Sequence, residues 1–219
     1  MATRDNINID ALMATQIDPH KLVARFLAAY GTTPRLFVGP GRINIIGEHV
    51  DYCGGYVMPA AIDRACYVAS AQNGLNVLRV ESDFGSCEIP LNDFQRQGDW
   101  RDYVAGMAFA LRDAGLDILG HDLMITSTVP VGAGVSSSAA LEVGIGLALT
   151  HGTVHGPRLA QIAQRAEKSF MLVWPVASWT NLPAPTASKI MHSCLIVPVC
   201  GLSPLRCALM LVFAGGFWG

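Results

Sequence analysis

The chain has 219 residues, 51% of them apolar, and a formal charge of −2, enough for a substantial core in one large or two small domains. That balance offers no basic surface for nucleic acid and no polybasic patch for a membrane, and no protein partner is indicated. The opening Met-Ala-Thr-Arg-Asp-Asn has no apolar signal region, and six Cys without a CxxC pair indicate neither disulfides nor zinc, so a cytoplasmic protein with reduced thiols is expected.

Asp18 can N-cap a helix carrying Leu22, Val23, Phe26, Leu27 and Tyr30, with Gly31 as its stop. Arg35 to Val38 reads as a strand, and Gly39 to Gly55 as a polar, Gly-rich turn region. Strand-like runs follow at Ala61–Ala71, Leu75–Ser82 and Ser86–Pro90. Trp100 to Ala114 has helical spacing and ends at Gly115, and His121 to Val129 alternates like a strand. Ser136 to Leu149 is a helix of small residues. Pro157 suits the first position of another helix, which runs to Phe170. Strands first and helices interleaved later predict an α+β layered domain.

Two segments carry chemistry. In Pro130-Val-Gly-Ala-Gly-Val-Ser-Ser-Ser-Ala-Ala-Leu-Glu142, between a strand and a helix, Gly132 and Gly134 let backbone come close to a ligand. Ser136, Ser137 and Ser138 open the helix, where free N–H groups and the dipole attract anions. There is no Walker Gly-Lys-Ser/Thr, and a bare loop of this kind could equally be a Ser-capped helix after a glycine turn. The second segment, Gly39-Pro-Gly-Arg-Ile-Asn-Ile-Ile-Gly-Glu-His-Val-Asp-Tyr-Cys-Gly-Gly55, sets Arg42, Asn44, Glu48, His49 and Asp51 among five glycines. Its carboxylates could accept sugar hydroxyls or simply be solvated on a polar hairpin.

Together these segments resemble the galactokinase signature GRxNxIGEHxDYxGG and the GHMP kinase motif PxGxGLSSSAALE, in the right order and separation, over about residues 15–170. Val50, Cys53 and Val135 stand where Thr, Asn and Leu are common. The resemblance implies a GHMP-kinase-type N-terminal domain, ribosomal protein S5 domain 2-like and truncated. It implies transfer of phosphate from ATP to galactose, or to N-acetylgalactosamine. Glu48, His49, Asp51 and the backbone at Val50 would hold the sugar. Gly132, Ala133, Gly134, Val135, Ser136, Ser137 and Ser138 would wrap the ATP phosphates. Ser138 and Glu167 would hold Mg²⁺, and Arg42 would face the transferred phosphoryl group.

Near residue 171 the character of the sequence changes. All 17 acidic residues lie at or before Glu167, whereas Leu172 to Gly219 holds only Lys189 and Arg206 as charges, with three of four Trp, half the Cys and five Pro. The family's next motif, roughly VGxPCGIMDQ with the presumed catalytic base Asp, is absent; its Asp would fall near Trp179. Codons for Pro175 to Asn181, read from their third bases, permit Cys-Gly-Ile-Met-Asp-Gln, and Trp179-Thr180 force the Asp. Continued through Met191, that frame permits FASANGVKDHA, with the last Ala forced. Residues 1–170 are therefore expected to form the galactokinase-like domain. Residues 171–219 are expected to be an apolar tail translated out of frame, leaving the chain without its base and inactive, or able only to bind sugar or ATP.

Overall fold

The computed structural model describes residues 17–46, 58–132 and 134–171. Helix α1 spans Pro19–Tyr30. The Asp18 carboxylate accepts from the His20 N–H at 2.9 Å, and Gly31 closes the helix at φ 70°. Strands β1 (Arg35–Ile46), β2 (Met58–Gln72), β3 (Val77–Ser82) and β4 (Gly85–Pro90) follow. Next come helix α2 (Arg101–Asp113), strand β5 (His121–Ser127), and helices α3 (Ser137–Leu149) and α4 (Gly156–Ala166). A π-helical turn at Glu167–Met171 ends the described chain.

The sheet order is β1-β2-β5-β3-β4. Only β3 and β5 run parallel; the other pairs are antiparallel. Alternation along β2 divides two layers. Cys66 and Val68 face a large core with Leu78, Val80, Leu123, Ile125 and residues of α2, α3 and α4. Ala65, Tyr67 and Ala69 face a smaller cluster with Met124 and with Leu22 and Phe26 of α1. Among the described residues three helices thus cover one face and one helix packs on the other, the α+β arrangement expected. No helix among the described residues is long and apolar enough to cross a membrane.

Helix α3 lies between the sheet and the outer helices, which is why it is built of small residues. A Cβ on Gly144 would sit 3.0 Å from a Val68 methyl, and one on Gly146 2.6 Å from Leu159 and 2.8 Å from Met107. Gly39 makes the matching allowance on the strand side, where a Cβ would stand 2.0 Å from the Ala140 carbonyl oxygen.

The sequence reading needs correction at several boundaries. The turn region expected from Gly39 is strand as far as Ile46, with register shifts between Pro40 and Arg42 and between Asn44 and Ile46. Gly39 and Gly41 are contact points rather than turn formers, Gly39 for α3 and Gly41 for β2 and Val129. The rest of the expected region, from residue 47, lies outside the described residues. β2 begins before Ala61, β3 begins after Leu75, and β5 ends before Val129. α4 stops at Ala166, where the backbone widens into the π-helical turn instead of continuing to Phe170.

Candidate functional site

β1 and the glycine-serine loop meet directly. The Arg42 N–H donates to the Val135 carbonyl at 3.1 Å, tying the strand of the first motif to the loop of the second. Gly41 next to it is buried, and a Cβ there would come within 3.1–3.2 Å of Ile62, Val129 and the Arg64 carbonyl. The strand can lie this close only because the glycines lack side chains.

In the loop, Gly132 and Gly134 have φ values of 76° and 71°. Ser136 is also left-handed, at φ 59° and ψ 48°, and its hydroxyl does not cap α3. The simple reading of a Ser-capped helix therefore fails. A capping Ser would be extended and would bond an N–H of the first turn. Ser136 instead holds a strained conformation that turns the chain into α3. Ser137 and Ser138 form its first turn and are half-buried.

Behind these serines lies a pair of acids, Glu142 buried and Glu167 half-buried. Glu142 follows Ser138 by four residues, one helical turn along the same face of α3. It is fully buried, and no N–H or hydroxyl donor among the described residues reaches either carboxylate oxygen. Burial pushes its carboxyl well above the ordinary carboxylate range, and the charge and hydrogen bonding of Glu167 push it further. Glu167, at the start of the π-helical turn, is also raised by burial; its hydrogen bond with Glu142 and the charge of Arg42 pull it back. Glu142 therefore holds the proton between them and Glu167 keeps the negative charge. The Tyr103 hydroxyl is raised by burial and then by the charges of Glu142, Glu167 and Asp102, which places α2 beside the same pair.

Arg42, Val135, Ser138 and Glu167 are thus gathered around the first turn of α3. The motif resemblance implies no role for Glu142, although it is the only ionisable side chain in a 13-residue apolar helix. One further buried oxygen bears on the region: the Asn44 side-chain oxygen is buried with no donor among the described residues. Glu48, His49, Val50, Asp51 and Ala133 lie outside the described residues. The strand ends flanking the segment that holds the first four, Ile46 and Met58, are paired in β1 and β2.

No group of three or more His, Cys, Asp or Glu side chains suited to a metal occurs among the described residues. A serine hydroxyl and one ionised carboxylate are nevertheless hard oxygen donors of the kind Mg²⁺ accepts when phosphate oxygens and water complete its shell.

The chain is similar to known proteins over most of its described length. The galactokinase galactose-binding signature matches residues 24–72, and the GHMP kinases N terminal domain matches residues 102–175. A galactokinase of Roseiflexus sp. is 41% identical over 71% of this chain and 41% of its own length. One of Streptomyces coelicolor is 40% identical over 67% of this chain and 40% of its own. The chain therefore spans about two fifths of the length of the curated relatives it matches. Among solved structures, Lactococcus lactis galactokinase complexed with galactose superposes with a TM-score of 0.67 at 31% identity, over 79% of this chain and 46% of that one. Methanococcus jannaschii mevalonate kinase shares the fold, with a TM-score of 0.56 at 17% identity, over 73% of this chain and 51% of its own.

Proposed function

Because the chain belongs to the galactokinase family of GHMP kinases, we propose that its folded part is the sugar-binding and phosphate-binding portion of an ATP-dependent galactose 1-kinase. The observation that carries this reading is the 3.1 Å bond from the Arg42 N–H to the Val135 carbonyl. It sets the start of the sugar motif against the loop that would hold the phosphates, as transfer between the two ligands requires.

Glu48, His49 and Asp51, with the backbone of Val50, would accept and donate to sugar hydroxyls. The loop from Gly132 to Ser138 would present N–H groups to the ATP phosphates at the positive end of α3. Ser138 and Glu167 fit Mg²⁺ as oxygen donors, and Glu142, by keeping the proton, leaves Glu167 as the charged partner. When bound, that ion would neutralise phosphate charge. The Arg42 guanidinium, close enough to lower the Glu167 carboxyl, would add a fixed positive charge on the same side.

The general base is the missing part. No Asp or Glu occurs after Glu167, and the match to the GHMP kinases N terminal domain ends at residue 175. The tail from about 171 onward is accordingly proposed to be out of frame, and the chain as written to bind ligands without normal turnover. An ADP-release assay with galactose, run beside calorimetry with galactose, N-acetylgalactosamine and ATP, tests this. Heat from galactose and from ATP without ADP release supports the reading; normal turnover overturns the inactivity, and no heat from either ligand overturns the binding role. Sequencing the gene across codons 175–181 tests the frame: codons unable to encode Cys-Gly-Ile-Met-Asp-Gln in the neighbouring frame rule it out.

A further inference from the structure

At the end of the domain away from the serine loop, two imidazoles meet. The His121 Nε2 and the His151 Nε2 stand 3.2 Å apart, and the His121 Nδ1 faces the Leu119 carbonyl at 2.9 Å. The Gln72 side-chain nitrogen lies 2.9 Å from the His151 Nε2. Gln72 ends β2, His121 starts β5 and His151 stands in the turn after α3, so the contact ties that turn to the sheet. The turn itself is closed by the Gly152 N–H on the Leu147 carbonyl at 2.8 Å and the Thr153 N–H on the Thr150 carbonyl at 2.9 Å. His121 is 1% exposed. His151 sits at φ 51°, a strained conformation that a non-glycine residue keeps only where its neighbours support it.

Hydrogen placement limits the charge that the pair can carry. A carbonyl only accepts, so the His121 Nδ1 is protonated. A bond between two Nε2 atoms takes one hydrogen, from one ring or the other. In the neutral pair His151 supplies it, and the exposed Gln72 amide turns its nitrogen away. With one proton added, His121 supplies it and the Gln72 nitrogen donates to His151, as the positions found allow. A second added proton puts a hydrogen on both Nε2 atoms and sets two like charges 3.2 Å apart with no acceptor between them. Three charged groups face the rings. Asp122 of β5 lies beside His121 but is held by forked bonds from Arg79 of β3, Arg35 of β1 acts on His151, and Asp117 lines the recess next to both. Burial is the largest influence on either ring and opposes charge. Arg35 opposes it further at His151, whereas the Leu119 carbonyl and Asp122 favour it at His121.

We infer that His121 and His151 form an acid-released latch: the closed pair holds one shared proton, excludes a second, and lets go of the turn after α3 when both rings are charged. The unfolded chain binds two protons below the ordinary imidazole range of about 6.5, and the closed pair binds at most one. The contribution of the latch is therefore present above that range and is lost as pH falls. Thirteen residues of α3, a rise of about 20 Å, separate the latch from the serines, so it acts apart from the phosphate loop.

The test uses the full chain and His151→Asn. Asparagine tolerates a left-handed φ, and its amide can meet the His121 Nε2 without titrating, so the variant is expected to fold, with circular dichroism as the check. Urea denaturation is followed from about pH 7.5 to about pH 5. The variant excludes one proton fewer than the wild type, whatever the charge on His121. The folding equilibrium of the wild type should therefore fall by up to about thirtyfold more than that of the variant at the acid end. Glu142 and the remaining histidines titrate alike in both proteins, so the difference isolates the pair. Hydrogen exchange at the Gly152 and Thr153 N–H groups, corrected for its intrinsic pH dependence, should speed up in the wild type only. Parallel pH profiles in the two proteins would overturn the latch. So would wild-type imidazole spectra in which each ring takes up its own proton near 6.5 without regard to the other, a result that needs no variant.

Discussion

Gly39 in β1 and Ala140 in α3 approach so closely that a Cβ on the glycine would stand 2.0 Å from the alanine carbonyl oxygen, 2.9 Å from its carbonyl carbon and 3.0 Å from the Gly144 nitrogen. The obstacle is backbone, which cannot rotate aside. Gly39→Ala must push α3 off the sheet and should destabilise the domain by about 1–3 kcal/mol, the usual range for overpacking. Because α3 carries Ser137 and Ser138, ATP binding should weaken in the same variant. Gly31→Ala is the control: nothing lies within 4 Å of its added methyl, so only the φ of 70° is penalised, by about 1–2 kcal/mol. Urea denaturation of both variants checks this. Retained ATP affinity in Gly39→Ala would show that the contact does not position the loop.

Glu142→Gln should change stability in a pH-dependent way. A carboxyl whose folded value is raised above about 4.5 contributes stability that is fully present below that pH and lost as pH rises through the folded value. The amide cannot ionise and loses nothing. The variant should therefore gain on the wild type from mildly acidic to mildly alkaline solution. Denaturation midpoints compared across that range decide it; a constant difference would mean that Glu142 is not proton-bearing in the fold.

Arg79 makes a forked contact with Asp122, at 2.6 and 2.7 Å, and Asn73 donates to the same carboxylate at 3.0 Å. Asp122 is buried whereas the Arg79 side chain is 38% exposed, so solvent weakens part of the attraction. Arg79→Met leaves a buried charge with Asn73 as its main donor and should lower stability. The double variant with Asp122→Asn should lose less than the sum of the two single changes. Strict additivity in a double-mutant cycle would remove the pair from the account.

Thiol reactivity gives a quicker check of the core. Burial pushes the Cys66 thiol up to about 12, while Cys87, half-buried, is pushed to about 11. Against the ordinary 9.0, the thiolate fraction of Cys66 falls roughly a thousandfold, and the thiolate is the reacting form. Peptide mapping after iodoacetamide treatment should find Cys66 slower than Cys87, and both slower than a free thiol until denaturant equalises them. Prompt labelling of Cys66 in native buffer would mean that the β2 core opens.

Much of the fold was readable in the sequence because local rules and tertiary need agreed. Asp18 and Gly31 mark the ends of α1 by chemistry that acts within a few residues. The alternation of Ala65, Cys66, Tyr67, Val68 and Ala69 records a strand with a layer on each side. What stayed hidden depended on distant partners. Gly39 and Gly41 look like turn residues until α3 and Val129 are placed against them, so the outer half of β1 was read as a loop. The parallel pairing of β3 with β5 joins segments about forty residues apart and has no local sign. At the site, motif resemblance marked Arg42, Ser138 and Glu167, whereas Glu142 needed the observation that its carboxyl is enclosed. Glu48, His49, Val50 and Asp51 rest on the resemblance alone.

The position of β5 also sets the order in which a growing polypeptide can acquire structure. β1 and β2 form one antiparallel pair and β3 and β4 another, and among the described residues no strand pairing joins them except through β5. During synthesis the two ribbons emerge early but have no shared sheet until Ser127 has left the ribosome. The apolar faces of Val68 and Leu78 meet their common core only then. A ribosome stalled before β5 would therefore carry two separate hairpins, open to chaperones and proteases, whereas one stalled after it would carry a closed five-stranded sheet.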